Sequence, residues 1–246
     1  MPLAGGGDGR AGGHKGVEML KKFSAEAIGT FMIVSAVCGA GAPGLGSAGV
    51  PVVALAAGLA TMAMMYAAGH VSGGHFNPVV TIGLAAAGRH HTTTLVAYVV
   101  AQVVGAVAAA FVWYVIAIEV ADPSKLLPAG NFGSNGFDNA SPGHFNLAGV
   151  AVTEVLATAL LVFVFAGATA KRAAHGFAPL AVGAIMVALL IITIPISNGA
   201  LNPARSTATA LFGGTLAISQ LWLFWLTAFV GAVLGGLMAR WVNSGH

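Results

Sequence analysis

Apolar residues are gathered into six runs, Lys21–Gly41, Pro51–Gly69, Thr93–Ile118, Leu147–Thr169, Ala178–Pro195 and Leu221–Val242. Each is close to or longer than the ~20 helical residues that cross a ~30 Å hydrocarbon core, so each predicts a membrane span. Two polar, glycine-bearing segments break the pattern, Ser72–Thr81 and Ser197–Thr207, and each holds an Asn-Pro pair, Asn77-Pro78 and Asn202-Pro203. Asn is a preferred helix N-cap and Pro a preferred first helical residue, so each segment predicts an unwound stretch that abruptly starts a helix. The apolar stretches that follow, Asn77–Ala87 and Asn202–Phe212, are about eleven residues long, or ~16 Å of helix at 1.5 Å per residue. That is half a membrane depth. Irregular backbone at that depth is tolerated only where it is buried in protein or lines a watery cavity, so two such starts imply an aqueous pathway.

Composition fixes the solvent. Of 246 residues 57% are hydrophobic and only 7% charged, with a mean hydropathy of +0.88, against about 25% charged residues in a soluble domain. The net charge of +3 and pI of 9.3 come from an asymmetry along the chain. Arg10, Lys15, Lys21, Lys22, Arg89, Lys171, Arg172 and Arg240 fall on one predicted side, whereas the opposite loops carry Lys125 with Glu119, Asp122 and Asp138. By the positive-inside rule the first side is cytoplasmic, both termini lie there, and the expected location is the inner (cytoplasmic) membrane. This distribution requires no nucleic-acid partner. Cys38 is the single cysteine, which excludes an intrachain disulfide. The first apolar run lacks a convincing cleavage site and is read as a retained span rather than a signal peptide. The expected organisation is a disordered tail over 1–19 and one channel domain over 20–242, with a first repeat over 20–118, an outer loop over 119–146 and a second repeat over 147–242.

The repeats are visible in sequence. Ser24–Thr30 opens the first span as Val152–Thr158 opens the fourth, and Glu26 precedes Asn77 by nearly the distance at which Glu154 precedes Asn202. Three spans per unit place the second unit upside down, an inverted repeat about an axis in the membrane plane. The fold class is therefore an all-α membrane protein of six transmembrane helices and two re-entrant half-helices that meet at mid-membrane. There, the side-chain oxygen of Asn77 or Asn202 caps its helix and its NH2 is left to donate to a passing solute. Facing helix N-termini, each worth about half a positive charge, repel cations and interrupt proton hopping. An arginine inside a membrane segment, Arg205, is a functional candidate in its own right. The intramembrane carboxylates Glu26 and Glu154 fit either a proton relay or a scaffold, and their symmetric placement favours the scaffold. His70 reads as a buried, hydrogen-bonded histidine beside the first box. His14, His90, His91 and His175 have no spacing that compels a metal site. No cofactor is expected, and no Ser/His/Asp set or His-Glu-x-x-His motif points to an enzyme.

The twin Asn-Pro boxes, the run Gly69–Pro78, the run Asn202–Ser206 and the paired Glu residues closely resemble the aquaporin (major intrinsic protein) family over about residues 20–242. The resemblance implies a homotetramer with one pore per subunit, and Glu26 and Glu154 as acceptors for backbone N–H groups of the re-entrant loops. It also implies a narrow selectivity filter containing Arg205. Ungapped matching gives Ala57, Leu190 and Gly199 as the other filter residues, where bacterial water channels carry Phe, His and a small polar residue. Val79 stands where the first box usually has Ala, beside Asn77 and Pro78; the second box, Asn202, Pro203 and Ala204, is unaltered. A small, aliphatic, small and Arg filter resembles that of the metalloid-permeable nodulin-26-like channels and their bacterial relatives. The implied function is a passive channel for small uncharged solutes, such as arsenous acid, boric acid and glycerol, and for water, with ions and protons excluded. A water-selective channel and a proton-coupled secondary transporter are the alternatives.

Overall fold

The computed structural model describes residues 9–41, 49–120 and 131–244. Residues 1–8 of the expected tail, and Asp122 and Lys125 of the expected outer loop, lie outside the described residues. Eight α-helices occur among those described: α1 (Gly9–Gly41), α2 (Val50–Ser72), α3 (Pro78–Ala86), α4 (Thr92–Val120), α5 (Leu147–Ala168), α6 (Ala178–Ser197), α7 (Pro203–Phe212) and α8 (Thr215–Asn243). Six are long and apolar enough to span a membrane, and α3 and α7 are the two half-length elements. All six spans coincide with the apolar runs, but most overshoot them by a few residues. The helix α6 continues through Pro195 to Ser197, and α8 begins at Thr215 rather than Leu221. The largest difference is at the start. Residues 9–19, expected to be disordered, continue α1 as helix, because extending an existing helix adds one hydrogen bond per residue fixed whereas nucleation is the costly step.

The packing obeys the predicted two-fold relation. α1 lies against α2 and α4 as α5 lies against α6 and α8, while α2 and α6 pack against each other and join the two repeats. Each half-helix packs on the last span of the other repeat, α3 on α8 and α7 on α4, so the repeats interlock rather than sit side by side. The close crossings need glycine. A Cβ on Gly105 of α4 would lie 2.0 Å from the Ala27 carbonyl of α1, and one on Gly231 of α8 would lie 2.6 Å from the Val155 carbonyl of α5. Ala27 and Val155 each follow the paired Glu by one position. Without a hydrophobic drive between helices in lipid, such small residues let backbones approach and gain dispersion contact. Arg89, Lys171, Arg172 and Arg240 all lie at one end of the bundle, called the basic end below; the segment from Asn131 to Asn146 lies at the other.

Candidate functional site

The chain enters each half-helix by the same sequence of backbone turns. α2 ends at Ser72 and reverses through left-handed Gly73 (φ 97°); α6 ends at Ser197 and reverses through left-handed Asn198 (φ 64°). Three residues further on, Phe76 (φ 51°) and Leu201 (φ 49°) are also left-handed, a conformation that strains any residue with a Cβ and tends to mark functional sites. Asn77 and Asn202 then become extended and cap α3 and α7. The Asn77 Oδ1 accepts from the Val79 N–H at 3.1 Å, and the Asn202 Oδ1 accepts from those of Ala204 and Arg205 at 3.0 and 3.3 Å.

The carboxylates explain how the strain is held. Glu26 Oε1 accepts from the Ser72 hydroxyl (2.6 Å) and the His75 N–H (3.0 Å), and its Oε2 from the Phe76 N–H (2.6 Å) and the Gln102 amide (2.7 Å). Glu154 Oε1 accepts from the Ser197 hydroxyl and the Ala200 N–H (3.1 Å), and its Oε2 from the Leu201 N–H (3.2 Å). Both are buried, and every hydrogen-bond partner of either carboxylate is a donor. Each carboxylate therefore accepts from the N–H of the strained residue before its Asn. Sequence reasoning missed Ser72, Ser197 and Gln102 as partners. The two serines were findable, since each stands five positions before its box Asn; Gln102 has no counterpart in the second repeat and carried no signal.

The strained carbonyls serve the opposite box. Asn77 Nδ2 donates to the Leu201 carbonyl at 2.8 Å, and Asn202 Nδ2 donates to the Phe76 carbonyl at 3.2 Å. The boxes thus meet, with one difference from expectation. One amide N–H of each Asn is committed across the contact, which leaves the second for a solute. Val79 is fully buried in the main apolar cluster, so its extra bulk over Ala is absorbed by packing.

Arg205 sits on the first turn of α7 and is buried. Its Nη1 donates to Asn135 Oδ1 and its Nη2 to the Asn198 carbonyl at 2.9 Å. Asn135 is fixed in turn by donating to the Ser197 carbonyl at 3.0 Å. No carboxylate pairs with the guanidinium among the described residues. Two of its five donors are used to aim it and the rest are available. Asn135 was missed as a partner because it lies in a loop some seventy residues away in sequence, without periodicity to place it. Leu190 and Gly199 are in contact: a Cβ on Gly199, whose φ is 61°, would lie 2.7 Å from Leu190 Cδ2. Ala57 is buried in the same apolar cluster as Leu190.

His70 is corrected. It is exposed, because it lies two positions, or about 200° of helix, from Ser72 on the buried stripe of α2. The buried histidine is His75, whose Nδ1 is 3.0 Å from Thr81 Oγ1 and whose ring meets those of His90 (5.0 Å) and Tyr98 (5.2 Å).

Residues 14–239 match the family described as major intrinsic protein. The chain belongs to that family. Proteins named Aquaporin Z are similar to it along almost its whole length. The one from Bradyrhizobium diazoefficiens is 46% identical over 229 residues, 91% of this chain and 94% of the relative. That from Photorhabdus laumondii subsp. laumondii is 47% identical over 227 residues, 90% and 97%. The fold is also that of the aquaglyceroporin from Plasmodium falciparum, at a TM-score of 0.74 and 21% identity over 91% of this chain and 94% of that one. This major intrinsic protein is thus a multi-pass membrane channel for the passive movement of water or small solutes, and the family's members are transporters rather than enzymes.

Proposed function

We propose that the channel passes small uncharged polyhydroxyl solutes, among them arsenous acid, boric acid and glycerol, together with water, and excludes ions and protons. The filter composition carries this reading. Ala57 and Leu190 supply neither the aromatic bulk nor the imidazole edge of a bacterial water channel, while Arg205 keeps a fixed set of donors for a solute hydroxyl. The paired half-helix N-termini and the Arg205 guanidinium, which pairs with no carboxylate among the described residues, disfavour cations at two levels of the pore. Placement in the inner membrane with cytoplasmic termini, and assembly as a homotetramer, belong to the same proposal. Exposed apolar side chains on α2 and α5, such as Leu55, Leu59, Val152 and Leu156, give lipid or sister subunits a surface to cover.

A water-selective channel is the second reading, favoured by the Aquaporin Z names of the relatives. Proteoliposomes shrunk osmotically in glycerol or in boric acid separate the two. The proposal expects re-swelling at a rate well above that of empty vesicles. Rapid water flux with complete exclusion of both solutes would establish the water-selective reading instead.

A further inference from the structure

At the basic end, a cavity of about 700 Å³ opens between the end of α3, the α5–α6 connection and the last turn of α8. Its polar lining is Arg89, Lys171, Arg172, Arg240, Asn243 and Ser244, and the remainder is alanine. Among the described residues no carboxylate lines it.

The four cations are not equivalent. Arg89 donates to the Ala166 and Thr169 carbonyls at 2.5 and 2.7 Å and so caps the C-terminus of α5. Lys171, Arg172 and Arg240 are exposed, and none has an ion pair among the described residues. Helix C-termini offset them only in part, since each is worth about half a negative charge. Three cations converging on one concavity repel one another unless an anion joins them. The wall beside them is apolar: Trp241, next to Arg240, is 80% exposed, and Leu237, Met238 and Val242 continue an exposed apolar strip along α8. Trp at the end of a spanning helix belongs at the headgroup level of a bilayer.

A polycationic recess opening onto a lipid-facing strip fits an anionic amphiphile better than a free ion. We propose that the cavity binds the phosphate of an anionic phospholipid headgroup, with Arg172, Arg240 and Lys171 as phosphate donors and the exposed strip of α8 against the acyl chains. Arg89 shapes the floor and remains committed to α5.

Native mass spectrometry of the full chain in detergent, titrated with phosphatidylglycerol or with phosphatidylcholine of the same acyl chains, tests this. Phosphatidylglycerol adducts should form at lower lipid concentration. The triple variant Lys171→Gln, Arg172→Gln, Arg240→Gln should weaken them about tenfold or more and leave phosphatidylcholine adducts unchanged. Its water flux in proteoliposomes reports that the channel still folds. A Lys21→Gln, Lys22→Gln variant, which removes charge from the same end of the bundle but not from the cavity, should retain phosphatidylglycerol binding. Equal binding of the two lipids, or equal losses in the two variants, would overturn the site. Displacement of the lipid by millimolar inorganic phosphate would overturn the lipid assignment in favour of a soluble anion.

Discussion

Glu154→Gln separates a scaffold from a proton relay. Glu154 is 1% exposed, and its three donors are the Ser197 hydroxyl and the N–H groups of Ala200 and Leu201. Glutamine keeps one acceptor oxygen and replaces the other by an NH2. In the better orientation the oxygen stays on Ala200 and the NH2 faces the Leu201 N–H, which orphans a buried donor at about 1–3 kcal/mol. The Ala200 bond falls from an anionic to a neutral acceptor, about 1 kcal/mol more. Ser197 loses least, because its hydroxyl also reaches the Thr193 carbonyl at 3.1 Å. The sum is about 2–4 kcal/mol, a midpoint lowered by roughly 5–10 °C in thermal unfolding of the detergent-solubilised protein. Since Leu201 is the residue whose carbonyl holds the Asn77 amide, water flux in stopped-flow light scattering should fall with stability. A variant with unchanged unfolding and unchanged passive flux, but with loss of accumulation driven by a pH gradient, would refute the scaffold and establish the relay.

Three further outcomes are expected. The double variant Ala57→Phe, Leu190→His should abolish glycerol and boric acid flux while water flux survives in the re-swelling assay; equal solute flux in a folded double variant would remove both side chains from the aperture. Gly199→Thr should lower stability by about 1–3 kcal/mol, from a Cβ at φ 61° and 2.7 Å from Leu190 Cδ2, and should lower flux of every solute; a neutral thermal shift would show that the loop relaxes. Burial, and then the neighbouring His91, lower the His90 pKa from its ordinary 6.5. The unfolded chain therefore binds this proton more readily, and thermal stability should fall as pH drops below about 6.5. His90→Phe should lessen that dependence without abolishing it, since the buried His75 ring beside it also resists protonation, and an unaltered slope would exclude a contribution from His90.

What the sequence disclosed and what it withheld divide along physical lines. The spans and the half-helices were legible because lipid demands long apolar runs and because Asn-Pro marks a helix start with two independent preferences. The inverted repeat was legible from the paired Glu residues. The Asn135 clamp on Arg205 was not, since it joins a loop to a half-helix by contacts that leave no period in the chain. His70 was misplaced for a related reason: the helical phase fixed by Ser72 turns it outward, while His75, which is buried, lies beyond the helix end in the unwound turn, where no periodicity applies. The helical start at Gly9 was hidden because glycine-rich composition argues for coil until an adjoining span supplies the nucleus.

The reciprocal bonds between Asn77 and the Leu201 carbonyl, and between Asn202 and the Phe76 carbonyl, bear on the order in which the pore can come into being. Phe76 reaches the membrane early in synthesis, yet the amide that receives its strained carbonyl belongs to a residue made more than a hundred positions later. Until then the first re-entrant loop has only Glu26 to oppose its strain and a bare carbonyl at mid-membrane. The constriction is thus a product of closure, complete only when the second box supplies its amide, and a first repeat alone would leave an incomplete seat rather than half a channel.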